Sequence, residues 1–166
     1  MKNLTARIDK FLRRPVYTSS LAFFRILFGS MMLISLLRFY FKGWIEEFYI
    51  KPQFYFSYYG FEWIQNPGFP GIYILFGIMT VSCILIIIGL GYRFSITAFF
   101  LSFTYVELID KSNYLNHYYF VSLVSFLMIF VPAHRAFSLD SRFNKNIRTE
   151  TEPMAWYRGQ YQKYRI

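Results

Sequence analysis

The stretch Asp110-Lys111-Ser112-Asn113-Tyr114-Leu115-Asn116-His117-Tyr118-Tyr119 gathers the residue types in this chain best suited to bind a ligand or move a proton. If Asp110 or Ser112 caps a following helix, Asn113, Asn116 and His117 fall at i, i+3 and i+4, on one helical face. That face continues through Phe120, Val121 and Val124, so it turns apolar within a turn. The carboxamides offer donors and acceptors, and a neutral imidazole offers one of each. A polar patch above an apolar slot suits a ligand with a polar head and a greasy body. The alternative is structural: such side chains satisfy helix ends and hydrogen-bond across helices.

Three charges fall inside or beside apolar runs. Arg25 lies about one turn into the first run, where a charge marks function unless its long stem carries it to the interface. Arg38 and Glu107 sit near the same ends of their runs. The expectation is an ion pair tying the first helix to the third, against the alternative that both face water. No HExxH, Gly-rich phosphate loop or Gly-x-Ser-x-Gly is present. The histidines, His117 and His134, belong to opposite ends of the expected bundle and cannot share a metal, so no metal site is expected.

These residues need a scaffold, and the composition restricts it to a bilayer. The chain has 166 residues, of which 55% are hydrophobic, 23% aromatic and only 16% charged. A soluble domain carries about a quarter charged residues. A soluble enzyme fold, a disordered chain and a disulfide scaffold are thereby excluded. The lone Cys83 lies inside an apolar run. The net charge of +9 is unevenly distributed. Lys2, Arg7, Lys10, Arg13 and Arg14 precede the first apolar run. Arg135, Arg142, Lys145, Arg148, Arg158, Lys163 and Arg165 follow the last. This is a topology signal first and an attraction to anionic lipid second. It is no nucleic-acid signature, because no basic helix or RNA-binding aromatic motif accompanies it.

A spanning helix needs about 20 apolar residues. The runs predict an all-α integral membrane bundle of about four transmembrane helices, over roughly 19–41, 72–90, 94–109 and 114–131. Pro132 ends the last. The expected organisation is a basic cytoplasmic segment over 1–18, the membrane domain over 19–132 and a basic cytoplasmic tail over 133–166. Both termini then lie inside, with 42–71 and 110–113 outside. The N-terminal run reads as an uncleaved anchor. The Asn3-Leu4-Thr5 sequon is cytoplasmic in this arrangement. The connection 42–71 holds Phe54-Tyr55-Phe56-Ser57-Tyr58-Tyr59-Gly60-Phe61-Glu62-Trp63, too aromatic for a solvated loop. It is expected to fold over the outer helix ends, as an interfacial aromatic belt or as a lid over a site at the mouth.

Several segments, in order, resemble the vitamin K-dependent gamma-carboxylase family, whose membrane part is called the HTTM domain. They are Leu21-Ala22-Phe23-Phe24-Arg25-Ile26-Leu27-Phe28-Gly29, then Phe54–Trp63, then Gly91-Tyr92-Arg93-Phe94-Ser95. Asp110-Lys111-Ser112 with Asn116-His117-Tyr118-Tyr119 is the most specific. Pro132-Ala133-His134-Arg135 and Ser138-Leu139-Asp140 complete the set. The Tyr-rich and Phe-rich composition is similar to that of bacterial members.

The resemblance implies a membrane enzyme that uses a vitamin K hydroquinone or related quinol and no metal. In the family, oxygenation of the deprotonated quinol yields a strong base that removes a γ proton from a protein glutamate, and carbon dioxide adds to the carbanion. His117 matches the histidine assigned to the oxygenation step. Lys111, Asn113, Asn116 and Tyr118 are the expected substrate-binding residues around it. The expected partners are the lipid bilayer and a glutamate-containing peptide or protein, in a bacterial inner membrane. The family's base lysine lies in a Lys-Leu-x-x-Asp-Trp-like context, and Lys163 in Gln-Lys-Tyr-Arg-Ile does not match it. The expectation is therefore an incomplete, truncated carboxylase that does not act alone. The alternative is a non-catalytic quinone-binding or structural membrane protein.

Overall fold

The computed structural model describes residues 19–143. The N-terminal segment 1–18 and the tail from 144 onward, including Lys163, lie outside the described residues. The described residues are all-helical, with six α-helices, one 3-10 turn and no strand.

Helix α1 covers Ser19–Phe41, α2 Trp44–Tyr49, α3 Gly68–Ile88, α4 Tyr92–Ile109, α5 Asn116–Phe130 and α6 Leu139–Phe143. Helix α1 packs on α3, α3 on α4 and α4 on α5. Small residues set the closest approaches, as they do where apolar helices meet without a hydrophobic driving force. A Cβ on Gly29 of α1 would stand 2.8 Å from Ile87 of α3. Ser82, Cys83, Ser95, Ser102, Ser122 and Ser125 are buried on the facing sides of α3, α4 and α5. The outward faces are apolar instead: Phe23, Leu27, Met31 and Ile34 of α1 and Ile74, Ile78, Val81 and Ile84 of α3 are exposed. An apolar exterior, with small residues where the helices approach most closely, suits lipid as solvent. Helices α1 and α3 are long and apolar enough to cross a membrane. Helix α4 has 18 residues but carries Arg93 and Glu107, and α5 has only 15.

The end of the bundle that carries Arg25 is closed by the chain after Pro132. Arg25 does not snorkel. It is fully buried and donates to the carbonyls of Ala133 at 3.1 Å, Phe137 at 2.6 Å and Ile87 at 3.5 Å. Asp140 accepts from the backbone N–H groups of Gly91 at 2.9 Å and Tyr92 at 3.1 Å, which begin α4. A carboxylate there satisfies orphan donors and complements the helix dipole. Tyr92 in turn donates its hydroxyl to Met128 O at 2.8 Å. The residues 133–143, grouped by the sequence with the tail, are thus bound to the bundle.

Candidate functional site

The opposite end is organised by Asp110. Its carboxylate is buried and accepts from Phe56 N at 3.2 Å, Ser112 N at 3.0 Å, Ser112 Oγ at 2.6 Å and Asn113 Nδ2 at 3.3 Å. Lys111 N donates back to Phe56 O at 2.8 Å. The long connection is therefore docked on the turn between α4 and α5. Tyr49 O fixes its other side, accepting from Tyr55 Oη at 2.9 Å and Asn66 Nδ2 at 2.6 Å. Ile45, Tyr49 and Ile64 are buried beneath it. The segment folds over the helix ends through Tyr49, Tyr55 and Ile64, while Phe54, Tyr59 and Trp63 are exposed.

Under the fold-back lie two adjoining spaces. A mouth pocket of about 210 Å³ is lined by Phe39, Phe48, Tyr49, Ser112, Asn113, Tyr114, Leu115 and Tyr118. Below it, a cavity of about 40 Å³ is walled by α1, α3, α4 and α5, and Glu107 supplies its carboxylate. Phe39, Tyr49 and Tyr118 line both. Ser122 Oγ donates to Glu107 Oε2 in a short hydrogen bond, and Thr104 Oγ1 donates to Ser122 Oγ at 3.3 Å. Burial, with the negative charges of Asp110 and Glu107 nearby, pushes the Tyr49 phenol well above its ordinary value. Tyr49 therefore stays a neutral hydroxyl at physiological pH.

The structure separates the residues that the sequence grouped. Asn113 is not on the helical face of Asn116 and His117. Asp110 captures Ser112 N–H, the chain forms a 3-10 turn over Lys111–Asn113, and Tyr114 and Leu115 are extended before α5 begins. Such local side-chain bonds compete with helix formation. Asn113 and Tyr118 line the mouth pocket, but Lys111, Asn116 and His117 do not. Asn116 and His117 are exposed, so the expected inward face is absent. The His117 ring stands edge-on to Tyr118, with centroids 4.5 Å apart, at the pocket rim.

The expected Arg38–Glu107 pair is also absent. Arg38 lies over the Trp44 ring at 5.3 Å, and Glu107 is held by Ser122. Opposite charges at neighbouring helix ends meet only if they share a facing side, and these do not. The sequence gives Asp110 a capping role only, which the structure extends to the docked connection, and it gives Glu107 no serine partner. Asp110 had a signal in its Asp-x-Ser spacing, but Ser122 had none. No cluster able to hold a metal occurs among the described residues.

The described residues thus form a helical bundle with an apolar exterior, two helices long and apolar enough to cross a membrane, and at one end a polar-rimmed pocket above the half-buried Glu107 carboxylate. Residues 13–160 match the family model of the HTTM domain, the domain associated with vitamin K-dependent carboxylases, and the chain belongs to that family. No solved structure matches it.

Proposed function

We propose that this chain forms the quinol-binding membrane domain of a vitamin K hydroquinone-dependent γ-glutamyl carboxylase type of enzyme. The observation that carries the proposal is the mouth pocket at the family's most specific motif. Its walls suit the ligand. Phe39, Phe48, Tyr49 and Tyr114 offer aromatic faces to a fused ring, while Asn113 and Tyr118 offer donors and acceptors to ring oxygens. When bound, the quinol supplies the reducing electrons and the strong base of the reaction. The chain's own part is to hold the ring, orient its oxygens and exclude water with the docked connection. His117, at the rim beside Tyr118, is proposed to hydrogen-bond a quinol oxygen after a ring rotation toward the pocket. The peptide glutamate would approach at the same mouth pocket.

The proposal includes four spans, with α4 and α5 crossing beside α1 and α3, and both termini cytoplasmic in a bacterial inner membrane. The basic residues flanking the described helices support that orientation. The reading with quinone binding but no chemistry has one observation in its favour, the exposed position of His117. Titration of the detergent-solubilised chain with anaerobic 2-methyl-1,4-naphthohydroquinone tests the proposal. Saturable binding that weakens in Asn113→Ala is expected, and its absence overturns the reading.

A further inference from the structure

Glu107 is the acidic group of the interior cavity, and the expected cation does not reach it. Of its two oxygens, Oε2 accepts from Ser122, which is itself held by Thr104. No hydrogen bond is made to Oε1, and no ion pair neutralises the carboxylate, among the described residues. The remaining walls are Met32, Leu36, Phe76, Met79, Phe103 and Val106, with the phenols of Tyr49 and Tyr118 and the hydroxyl of Ser35 toward α1 and the mouth. The half-buried carboxylate therefore keeps Oε1 free to accept a second hydrogen bond beside apolar walls.

The cavity that holds this carboxylate adjoins the mouth pocket, with which it shares Phe39, Tyr49 and Tyr118. Helices α1 and α5 are linked through α3 and α4 rather than packed closely on each other. An apolar groove of about 210 Å³ runs between them toward the Arg25 end, lined by Leu21, Phe24, Val124, Leu127 and Met128. The cavity, the mouth pocket and this groove all border the same α1–α5 cleft.

We propose that Glu107 is a specificity residue that accepts a hydrogen bond from a ring hydroxyl and thereby selects the reduced quinol over the oxidised quinone. The inference rests on the quinol reading above and adds a residue outside the motif that suggested it. A carboxylate accepts hydrogen bonds and donates none. A hydroquinone brings an O–H to Oε1. A quinone brings only a carbonyl, whose lone pairs face those of the carboxylate. The same logic lets a product without that hydroxyl leave. A hydrogen bond to a charged partner in an apolar site corresponds to about tenfold to a hundredfold in affinity.

The test is calorimetric titration of the solubilised chain under anaerobic conditions with 2-methyl-1,4-naphthohydroquinone and, separately, with the corresponding quinone. Wild type is expected to bind the hydroquinone at least tenfold more tightly. Glu107→Gln, which keeps the shape but can donate to a carbonyl, should bring the two affinities within about threefold, chiefly by tightening the quinone. Should Glu107→Gln not fold, Ser122→Ala provides the second variant. It leaves Oε2 without its donor, and the altered hydrogen-bonding demand of the carboxyl should change the preference by at least threefold. Equal binding of both ligands by wild type, or an unchanged preference in the folded variants, overturns the role of Glu107 and leaves the quinol reading standing. Failure of wild type to bind either ligand overturns both.

Discussion

Arg25 reaches across 112 positions of sequence to hold the carbonyl of Phe137 at 2.6 Å, and the same guanidinium holds Ala133 O at 3.1 Å. One buried side chain thus joins the first helix to the chain that follows the last long one. Among the described residues its Nε has no partner, so the stabilisation comes from the terminal nitrogens. Arg25→Met removes the donors and leaves buried carbonyls unpaired, at about 1–3 kcal/mol each. The expected result is a large fall in the unfolding temperature in detergent. Arg25→Lys should recover only part of it, because an ammonium lacks the planar fork that reaches several carbonyls together. A change of less than about 0.5 kcal/mol in Arg25→Met, the usual range for a surface substitution, would remove Arg25 from this role.

Gly89 and Asp140 complete the same junction. Gly89 has φ +68°, and a Cβ there would stand 2.5 Å from Arg25 Nη1. Gly89→Ala should therefore cost more than the ordinary penalty for a left-handed residue, because the buried guanidinium must also move. Asp140→Ala loses the acceptor for the first N–H groups of α4, a cap-type loss of about 1–2 kcal/mol. Asp140→Asn should retain most of the geometry and less of the charge term. Thermal unfolding of the three variants should order Gly89→Ala as least stable and Asp140→Asn as most stable.

The sequence made the helices legible and left most of their side-chain partners hidden. The run Ser19–Phe41 could be bounded because span length and apolarity are properties of the segment itself. Glu107 was visible as a charge in an apolar run, but its rotation toward Ser122 depends on how α4 packs on α5. Arg25 was equally visible, whereas no local pattern marks the carbonyl of a residue as distant as Phe137. Asn113 was misplaced for a local reason. The capping signal at Asp110 predicts the start of a helix, whereas its side chain closes a turn that ends in extended backbone.

Burial holds the His134 imidazole below its ordinary pKa, with Arg93, Arg135 and Arg25 acting in the same direction and Asp140 opposing them. His134 stacks on Tyr92 with centroids 5.8 Å apart. The folded state prefers the neutral ring, so the unfolded chain binds the proton more readily. Stability from this group is present above the unfolded value of about 6.5 and is lost as pH falls below it through the folded value. The unfolding temperature should drop between pH 7.5 and pH 5. His134→Phe, which keeps the stacking and removes the titration, should flatten that decline. An identical pH profile for both proteins would assign the decline to other groups.

The proposed orientation places Tyr59 outside the cell and Phe143 inside. Both are highly exposed, so a cysteine at either position costs little packing. Cys83 is fully buried and can be replaced by Ala to give a clean background. An impermeant maleimide should label Tyr59→Cys in intact cells and Phe143→Cys only after permeabilisation. Labelling of Phe143→Cys in intact cells would overturn the orientation, and labelling of both would overturn the four-span arrangement.

The mouth pocket distinguishes residues that the sequence treated alike. Asn113 and Tyr118 line it, whereas Lys111 offers its side chain to solvent and only its backbone N–H to Phe56. Titration with anaerobic 2-methyl-1,4-naphthohydroquinone should therefore give unequal losses. Asn113→Ala removes a carboxamide that both faces the pocket and bonds to Asp110, so it should weaken binding by about tenfold, the worth of one net hydrogen bond to a neutral ligand. Tyr118→Phe keeps the aromatic wall shared by pocket and cavity and removes only the hydroxyl, so it should cost a smaller factor of about three to ten. Lys111→Ala should leave the affinity within twofold. Asp110→Asn acts at one remove, by loosening the turn that carries Asn113 and the docked Phe56 segment of the connection. Its signature should be a loss of binding together with faster proteolysis of 42–71, whereas Asn113→Ala should leave proteolysis unchanged. A binding loss in Lys111→Ala equal to that in Asn113→Ala would show that the ligand sits on the outer surface of the turn and not in the pocket beneath it.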